Sequence, residues 1–316
     1  MIFSISTFGQ VWLVRDKKDK NTTYALKIQC KKELIKHGQA AGVIREKNLM
    51  ASIEHPFVIR LVNAFQDEYN LYMVMSLAQG GELFSVIHTQ TSDGVPEKAA
   101  KFYAANIYDG LMHMHSKNIL YRDLKPENVL LDNDGYCILI DLGFAKVVTD
   151  KTYTLCGTPL YLAPEILLSR GYDTSVDNWS FGVLVYEMLL GYSPFYTQNI
   201  DQMELYKRIV KIRYTFPNWS DASAAARDII KKILVLKPTE RLGGLKDGGA
   251  DIRNHPWLAD LTPDDMIHKR IKAPWKPKVK DPSDVSNFDN WDHLEDKGAH
   301  RGAPPSKHDQ EIFQDF

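Results

Sequence analysis

Cysteine is scarce in this chain of 316 residues: Cys30, Cys137 and Cys156 stand far apart with no metal-ligand spacing. That pattern suits a reducing cytosol or nucleus. Long apolar runs are missing too, so no segment reads as a bilayer span. Charge of one sign is also absent. With 39 Lys and Arg against 40 Asp and Glu the net charge is −1, and no basic run gives a reason to expect nucleic acid or a membrane surface. Met1-Ile-Phe-Ser4 is too short for a signal peptide, and residue 2 is not the glycine that N-myristoylation needs. There are no internal repeats or low-complexity tracts. An otherwise ordinary composition leaves a globular protein long enough for two cores.

What is present centres on Ile119-Leu-Tyr-Arg-Asp-Leu-Lys-Pro-Glu-Asn-Val-Leu-Leu131. Its ends are apolar and β-prone, while its middle is polar and interrupted by Pro126, which predicts a loop held between two short buried strands. From such a loop Asp123, Lys125 and Asn128 could converge on one ligand. An aspartate to accept a hydroxyl proton, a lysine for phosphate and an asparagine for magnesium make a phosphoryl-transfer set. A charged surface turn is the plainer reading of an isolated Asp-Leu-Lys. Against it, Ile138-Leu-Ile-Asp-Leu-Gly143 delivers a second carboxylate, Asp141, just before a glycine, where it could hold metal over phosphates.

Tyr121-Arg-Asp-Leu-Lys-Pro-Glu-Asn128, Asp141-Leu-Gly143 and Ala163-Pro-Glu165 occur in the order and spacing of the catalytic loop, metal-binding motif and activation-segment end of a eukaryotic protein kinase. The chain resembles that family, specifically the AGC group of serine/threonine kinases and its cAMP-dependent catalytic subunits, from about Thr7 to Phe316. The resemblance implies an α+β bilobal fold with a mainly antiparallel β small lobe carrying helix C, a mainly α large lobe, and a C-terminal tail wrapping back over the small lobe. It divides the chain into small lobe 1–75, hinge and large lobe 76–258, and tail 259–316. It also implies ATP and Mg2+ as cofactors, protein substrates with upstream arginines, a cAMP-binding regulatory subunit and a cytoplasmic, also nuclear, location. Two rivals are a cGMP-dependent-type catalytic chain, against which stands the lack of a nucleotide-sensing stretch, and a catalytically dead kinase-fold scaffold.

The resemblance assigns roles residue by residue. Asp123 orients and deprotonates the acceptor hydroxyl, Lys125 neutralises the migrating phosphoryl, Thr158 bridges those two, and Asn128 with Asp141 holds the metal. Lys27, on the predicted strand Thr23-Tyr-Ala-Leu-Lys-Ile-Gln29, grips the α- and β-phosphates and pairs with Glu46 of helix C. Phe8, Gly9, Val11, Ala25, Met75, Ser76, Ala78, Glu82, Glu127, Leu130, Ile140 and Phe288 complete the nucleotide site. Phe288 does so from the tail segment beginning at Ser286, and Phe313-Gln-Asp-Phe316 docks beside helix C. Glu82, Glu127 and Glu187 read substrate arginines, for which a planar guanidinium is the better partner of a carboxylate. Leu155, Pro159 and Leu162 form the pocket for the residue after the acceptor. Thr154 is the activating phosphosite, received by Arg122 and Lys146. Asp177 holds the catalytic-loop backbone, Arg241 pairs with Glu165, and Met50, Leu61, Tyr121 and Leu142 form an apolar column between the lobes.

Several positions depart from the family. Of the three glycines of its phosphate-covering loop, the aligned run Ser4-Ile-Ser-Thr-Phe-Gly9 keeps only Gly9, and little sequence remains for the strand before it. Either the start is truncated, its first true residues being about 7–9, or the serines are genuine and stiffen the loop at about 1–3 kcal/mol. The missing strand favours the first. Leu160 stands where the family has a glutamate. Gly42 stands where it has a histidine that contacts the activation phosphate.

Overall fold

The computed structural model describes residues 2–6, 9–88, 94–289 and 304–316. Alternating apolar residues fold the first part into an antiparallel sheet of order β1-β2-β3-β5-β4. Its strands are β1 (Ile2–Ser6), β2 (Gly9–Arg15), β3 (Thr23–Cys30), β4 (Leu61–Gln66) and β5 (Asn70–Ser76). β5 shows the two-residue period plainly, burying Leu71 and Met73. β1 corrects the sequence reading, which left almost no strand here. Four of its five residues pair with β2, and a register shift between Ile2 and Ser4 marks a bulge.

The pairing of Ser6 with Gly9 closes the β1–β2 hairpin. A Cβ at Gly9 would lie 1.9 Å from the carbonyl oxygen of Ile28 on β3, so this surviving glycine permits the approach of two backbones. Gly9→Ala should cost about 1–3 kcal/mol, the usual price of overpacking. A thermal-melt midpoint indistinguishable from wild type would contradict that account.

Two helices, α1 (Lys31–Lys36) and α2 (Ala40–Ser52), lie against the sheet. Beyond α2, Ile59 donates its amide to Leu139 O and Leu139 donates to Phe57 O, both at 2.9 Å, which ties the small lobe to the large one. The large lobe begins with α3 (Leu83–His88) and α4 (Glu97–Ser116). Then come four short strands, β6 (Ile119–Leu120), β7 (Val129–Leu131), β8 (Cys137–Leu139) and β9 (Lys146–Val147), paired β6 with β9 and β7 with β8. They hold the catalytic stretch between their ends, as its apolar flanks predict.

Six helices follow: α5 (Pro164–Leu167), α6 (Ser175–Leu190), α7 (Gln202–Val210), α8 (Ala224–Ile233), α9 (Gly249–Arg253) and α10 (Pro263–Ile267). Every residue of α6 is buried, and the helix ends on Gly191 at φ 78°, the left-handed cap that glycine adopts without strain. The bilobal architecture agrees with the fold implied by resemblance.

The tail is not a loose polar segment in its described parts. Thr23 Oγ1 donates to Pro282 O at 2.6 Å, and Gln79 Nε2 donates to Asp281 O and Asp284 O. Val285 packs with Ala25 in a small second core that Val11, Met75, Leu77 and Phe288 complete. After residues 290–303, α11 (Lys307–Glu311) leads to Phe313, which is fully buried. Lys31 Nζ lies 5.6 Å from the Phe313 ring centre and Lys47 Nζ 5.6 Å from that of Phe316, cation–π contacts that seat both rings on the small lobe.

Candidate active site

Between the lobes lies a cleft of about 330 Å³. Of the residues expected to take up a nucleotide, Val11, Ala25, Lys27, Met75, Ser76, Ala78, Glu82, Leu130, Ile140, Asp141 and Phe288 line it. Gly9, Glu127 and Asn128 do not, and Phe8 lies outside the described residues. Ile59, Leu77, Asn287 and Asp289 also line the cleft; Leu77 lies in the expected hinge and Asn287 and Asp289 flank Phe288 in the tail segment, but none was singled out from the sequence.

Lys27 reaches across to Glu46 of α2 at 2.6 Å, both side chains nearly buried. Burial alone would lower the pKa of the Lys27 ammonium. Glu46 and Asp141 outweigh it, so the net shift is upward and the amine stays charged. Met50, Tyr121 and Leu142 are buried in one continuous core, with Leu61 packed against it, and that core joins the small lobe to the catalytic loop.

Asp177, wholly buried at the start of α6, sets the backbone of that loop. Its carboxylate accepts the amides of Tyr121 and Arg122, each at 2.8 Å, and lies 2.8 Å from His115 Nε2. Arg122 and Asp141 take positive φ angles of 70° and 54°, sparsely populated for non-glycine residues and held only where the surroundings over-determine them. Within this frame Asp123 Oδ1 accepts from Thr158 Oγ1 at 2.9 Å and Oδ2 from Asn128 Nδ2 at 2.8 Å. Lys125 Nζ lies 3.2 Å from Thr158 Oγ1 and 3.3 Å from Asp123 Oδ2. The four residues thus form one charged, hydrogen-bonded cluster.

With its amide nitrogen committed to Asp123, Asn128 keeps its carbonyl oxygen for a cation. Asp141 accepts the Gly143 amide on Oδ1 at 3.0 Å, leaving Oδ2. Among the described residues there is no cluster of three or more His, Cys, Asp or Glu side chains able to cage a metal. Two protein oxygens suit Mg2+, which usually shares its shell with water and phosphate.

The acidic side chains around the cleft are held differently. Glu82 is half-buried, and burial, aided by Glu127 and Asp289 against Lys125, raises its carboxyl above the ordinary 4.5. Glu127 is exposed. Glu187 is buried, its oxygens taken by the Tyr161 hydroxyl and by His88 Nε2 at 2.9 Å. Burial first, then the neighbouring Glu187, pushes the Tyr161 phenol far up, so it remains a hydrogen-bond donor. Neither Tyr161 nor His88 was foreseen, since they meet Glu187 from 26 and 99 residues away. Leu155 and Pro159 are exposed, whereas Leu162 is buried.

Thr154 is exposed and its carbonyl accepts from the Tyr172 hydroxyl at 2.6 Å. Arg122 reaches that hydroxyl at 3.2 Å, and Lys146 donates to Thr152 Oγ1 at 3.0 Å. Both cations therefore bracket the segment around Thr154. Lower in the large lobe, Arg241 makes two hydrogen bonds to Glu165, at 2.8 and 3.0 Å, with both side chains buried.

The protein kinase domain family matches residues 6–258. The chain is 42% identical to a cAMP-dependent protein kinase catalytic subunit of Dictyostelium discoideum, over 100% of this chain and 48% of that protein. It is 41% identical to cAMP-dependent protein kinase type 3 of Saccharomyces cerevisiae, over 95% of this chain and 74% of the relative. A human cAMP-dependent protein kinase catalytic subunit is 40% identical, over 98% and 84%. The chain thus spans about half of the first relative's length and most of the other two. No helix among the described residues is long and apolar enough to cross a membrane.

Proposed function

The chain belongs to the protein kinase family, and from that premise we propose that it transfers the γ-phosphoryl group of ATP to serine or threonine hydroxyls of arginine-bearing proteins, as a catalytic chain of the cAMP-dependent type. The observations that carry this reading are the cluster of Asp123, Lys125, Asn128 and Thr158 and, with it, a cleft lined by the Lys27–Glu46 pair and Asp141.

In the reaction the acceptor oxygen attacks the γ-phosphorus, the bond to the β–γ bridging oxygen breaks, ADP leaves, and the acceptor proton passes to Asp123. Thr158 and Asn128 fix the Asp123 carboxylate, so one oxygen faces the hydroxyl without reorganisation. Lys125, held by Asp123 and Thr158, offers its charge to the transferring group, and Lys27 holds the trailing phosphates in register. Mg2+, when bound, neutralises phosphate charge, and Asn128 and Asp141 would hold it. The apolar wall of Ala25, Met75, Leu130 and Phe288 suits an adenine face.

Glu82, Glu127 and Glu187 are the proposed readers of substrate arginines. Tyr161 and His88 fix the orientation of Glu187, which preorganises it for a guanidinium. A regulatory subunit presenting a substrate-like segment would occupy the same surface.

Phosphorylation of an Arg-Arg-Ala-Ser-Leu peptide by this chain, against Ala-Ala-Ala-Ser-Leu, tests the reading. We expect Mg-ATP-dependent transfer that needs the arginines. Transfer to neither peptide, with ATP still bound, would favour the scaffold. The same assay has a pH arm. Glu82 protonates from a raised pKa, so the arginine preference should be full above that value and should shrink as pH falls through it, above 4.5. The arginine-free peptide should show no such decline.

A further inference from the structure

Where the lobes join, two histidines are stacked. His55, just beyond the end of α2, lies on His113 of α4 with ring centres 4.9 Å apart and planes at 26°. One turn earlier on the same helix face, Gly110 makes room for Phe57: a Cβ there would stand 3.2 Å from Phe57 O. That carbonyl accepts the Leu139 amide, and Ile59 donates to Leu139 O. Segment 55–59 is therefore the strap that ties α2 and the small lobe to the large one.

Both rings sit in surroundings that exclude a second proton. His55 Nδ1 accepts the Phe57 amide at 3.2 Å. An amide only donates, so Nδ1 offers its lone pair and the ring is neutral. On His113, Nε2 is buried without a hydrogen-bond partner among the described residues. An imidazolium would have to bury an N–H there unpaired. Nor do the neighbours supply a counter-charge. Lys117, one turn on along α4, is a further cation, and Tyr136 stacks on the Phe57 ring from the start of β8. The last turn of α2 has no ionisable side chain, and Glu54, next to His55, is exposed. Burial and then His113 lower the pKa of His55 from its ordinary 6.5 to about 4, and burial and then Lys117 lower that of His113.

We propose that the His55–His113 stack is a proton-sensitive clasp at the lobe junction: neutral, it holds the 55–59 strap on α4, and a proton taken up by His55 releases it. On Nδ1 that proton turns an acceptor into a donor pointed at the Phe57 amide. The ring must swing away, and Phe57 leaves its seat over Gly110. The strap continues α2, which brings Met50 to the cleft and Glu46 to Lys27, so its release frees that helix to drift from Lys27. This last consequence rests on the nucleotide-site reading above, whereas the clasp rests on the fold alone. A released histidine takes its proton near 6.5 and the clasped one resists it. The clasp is thus fully stabilising above pH 6.5 and weakens as pH falls from there towards 4.

The test is hydrogen exchange at the Ile59 and Leu139 amides of the full chain, corrected for the intrinsic pH dependence of exchange, in wild type, His55→Phe and His113→Phe. Between about pH 7.5 and about pH 5 the wild type should lose about thirtyfold in protection at both amides, the ratio that a clasped pKa of about 4 sets against 6.5. Phenylalanine at position 55 keeps a ring on the stack but takes no proton. Its protection should start lower, for want of an acceptor for the Phe57 amide, and stay level. His113→Phe should keep the loss, with its midpoint moved to higher pH. A loss of equal size in His55→Phe would overturn the clasp. So would a histidine-dependent loss shared by Val183 in the middle of α6, since the whole fold would then be opening. Mg-ATP affinity by calorimetry should fall over the same range in wild type and less in His55→Phe. An equal fall in both chains would overturn the link from clasp to α2. Absence of ATP binding at neutral pH in either chain would strike the nucleotide reading and leave the clasp to the exchange data.

Discussion

Asp123→Asn should lower kcat by roughly 10²–10⁴-fold, the span attributed to a positioned general base, while the affinity for ATP changes little. The substitution preserves volume and leaves Asn128 its hydrogen bond to the Asp123 carbonyl at 2.8 Å. It removes the charge that pairs with Lys125 and the oxygen that takes the proton. Aspartate 123 lines neither wall of the nucleotide cleft, which is why binding and turnover should separate. Steady-state kinetics on the arginine peptide, with nucleotide affinity measured by calorimetry, gives both quantities. A turnover within threefold of wild type would mean that proton transfer is not carried by this carboxylate.

Arg241→Met should destabilise the chain by about 3–5 kcal/mol, the cost of leaving one member of a buried ion pair uncompensated. The guanidinium is wholly buried. Besides Glu165 it serves Ser175 O at 2.8 Å and Val235 O, and it lies 5.1 Å from the Trp179 ring. Its loss strands a carboxylate that is 3% exposed. Adding Glu165→Leu should recover much of the loss, because two well-packed apolar side chains often match a buried ion pair. Urea denaturation of the three chains measures this, and a single variant as stable as the double would contradict it.

The elements legible in the sequence were those whose signal is local. Lys27 and Glu46 could be paired because one sits on a plain strand and the other on a plain helix at the family's spacing. Asp123 and Asp141 could be placed because apolar triplets flank them. β1 was not legible, since its bulge breaks the alternation that marks a strand. α1 escaped because six residues with no side-chain cap carry too little periodicity to be seen. The sharpest gap was around Glu187. The resemblance assigned it to arginine recognition, but nothing near it in sequence said that Tyr161 and His88 would hold it. Such long-range partners emerge only when α3, α6 and the activation segment come together.

The seating of Phe313 has a consequence for biosynthesis. Lys31 contacts Gln310 across 279 positions, and Gln66 donates to Phe313 O across 247. At about 5–20 residues per second, a ribosome needs roughly 15–60 s to travel from the first of these residues to its partner. Throughout that interval the small lobe is out in solution with the seat of an aromatic plug unfilled. Its folding is therefore finished by residues translated long after it, and a chain cut just before Phe313 loses part of the small lobe's interior rather than an appendage.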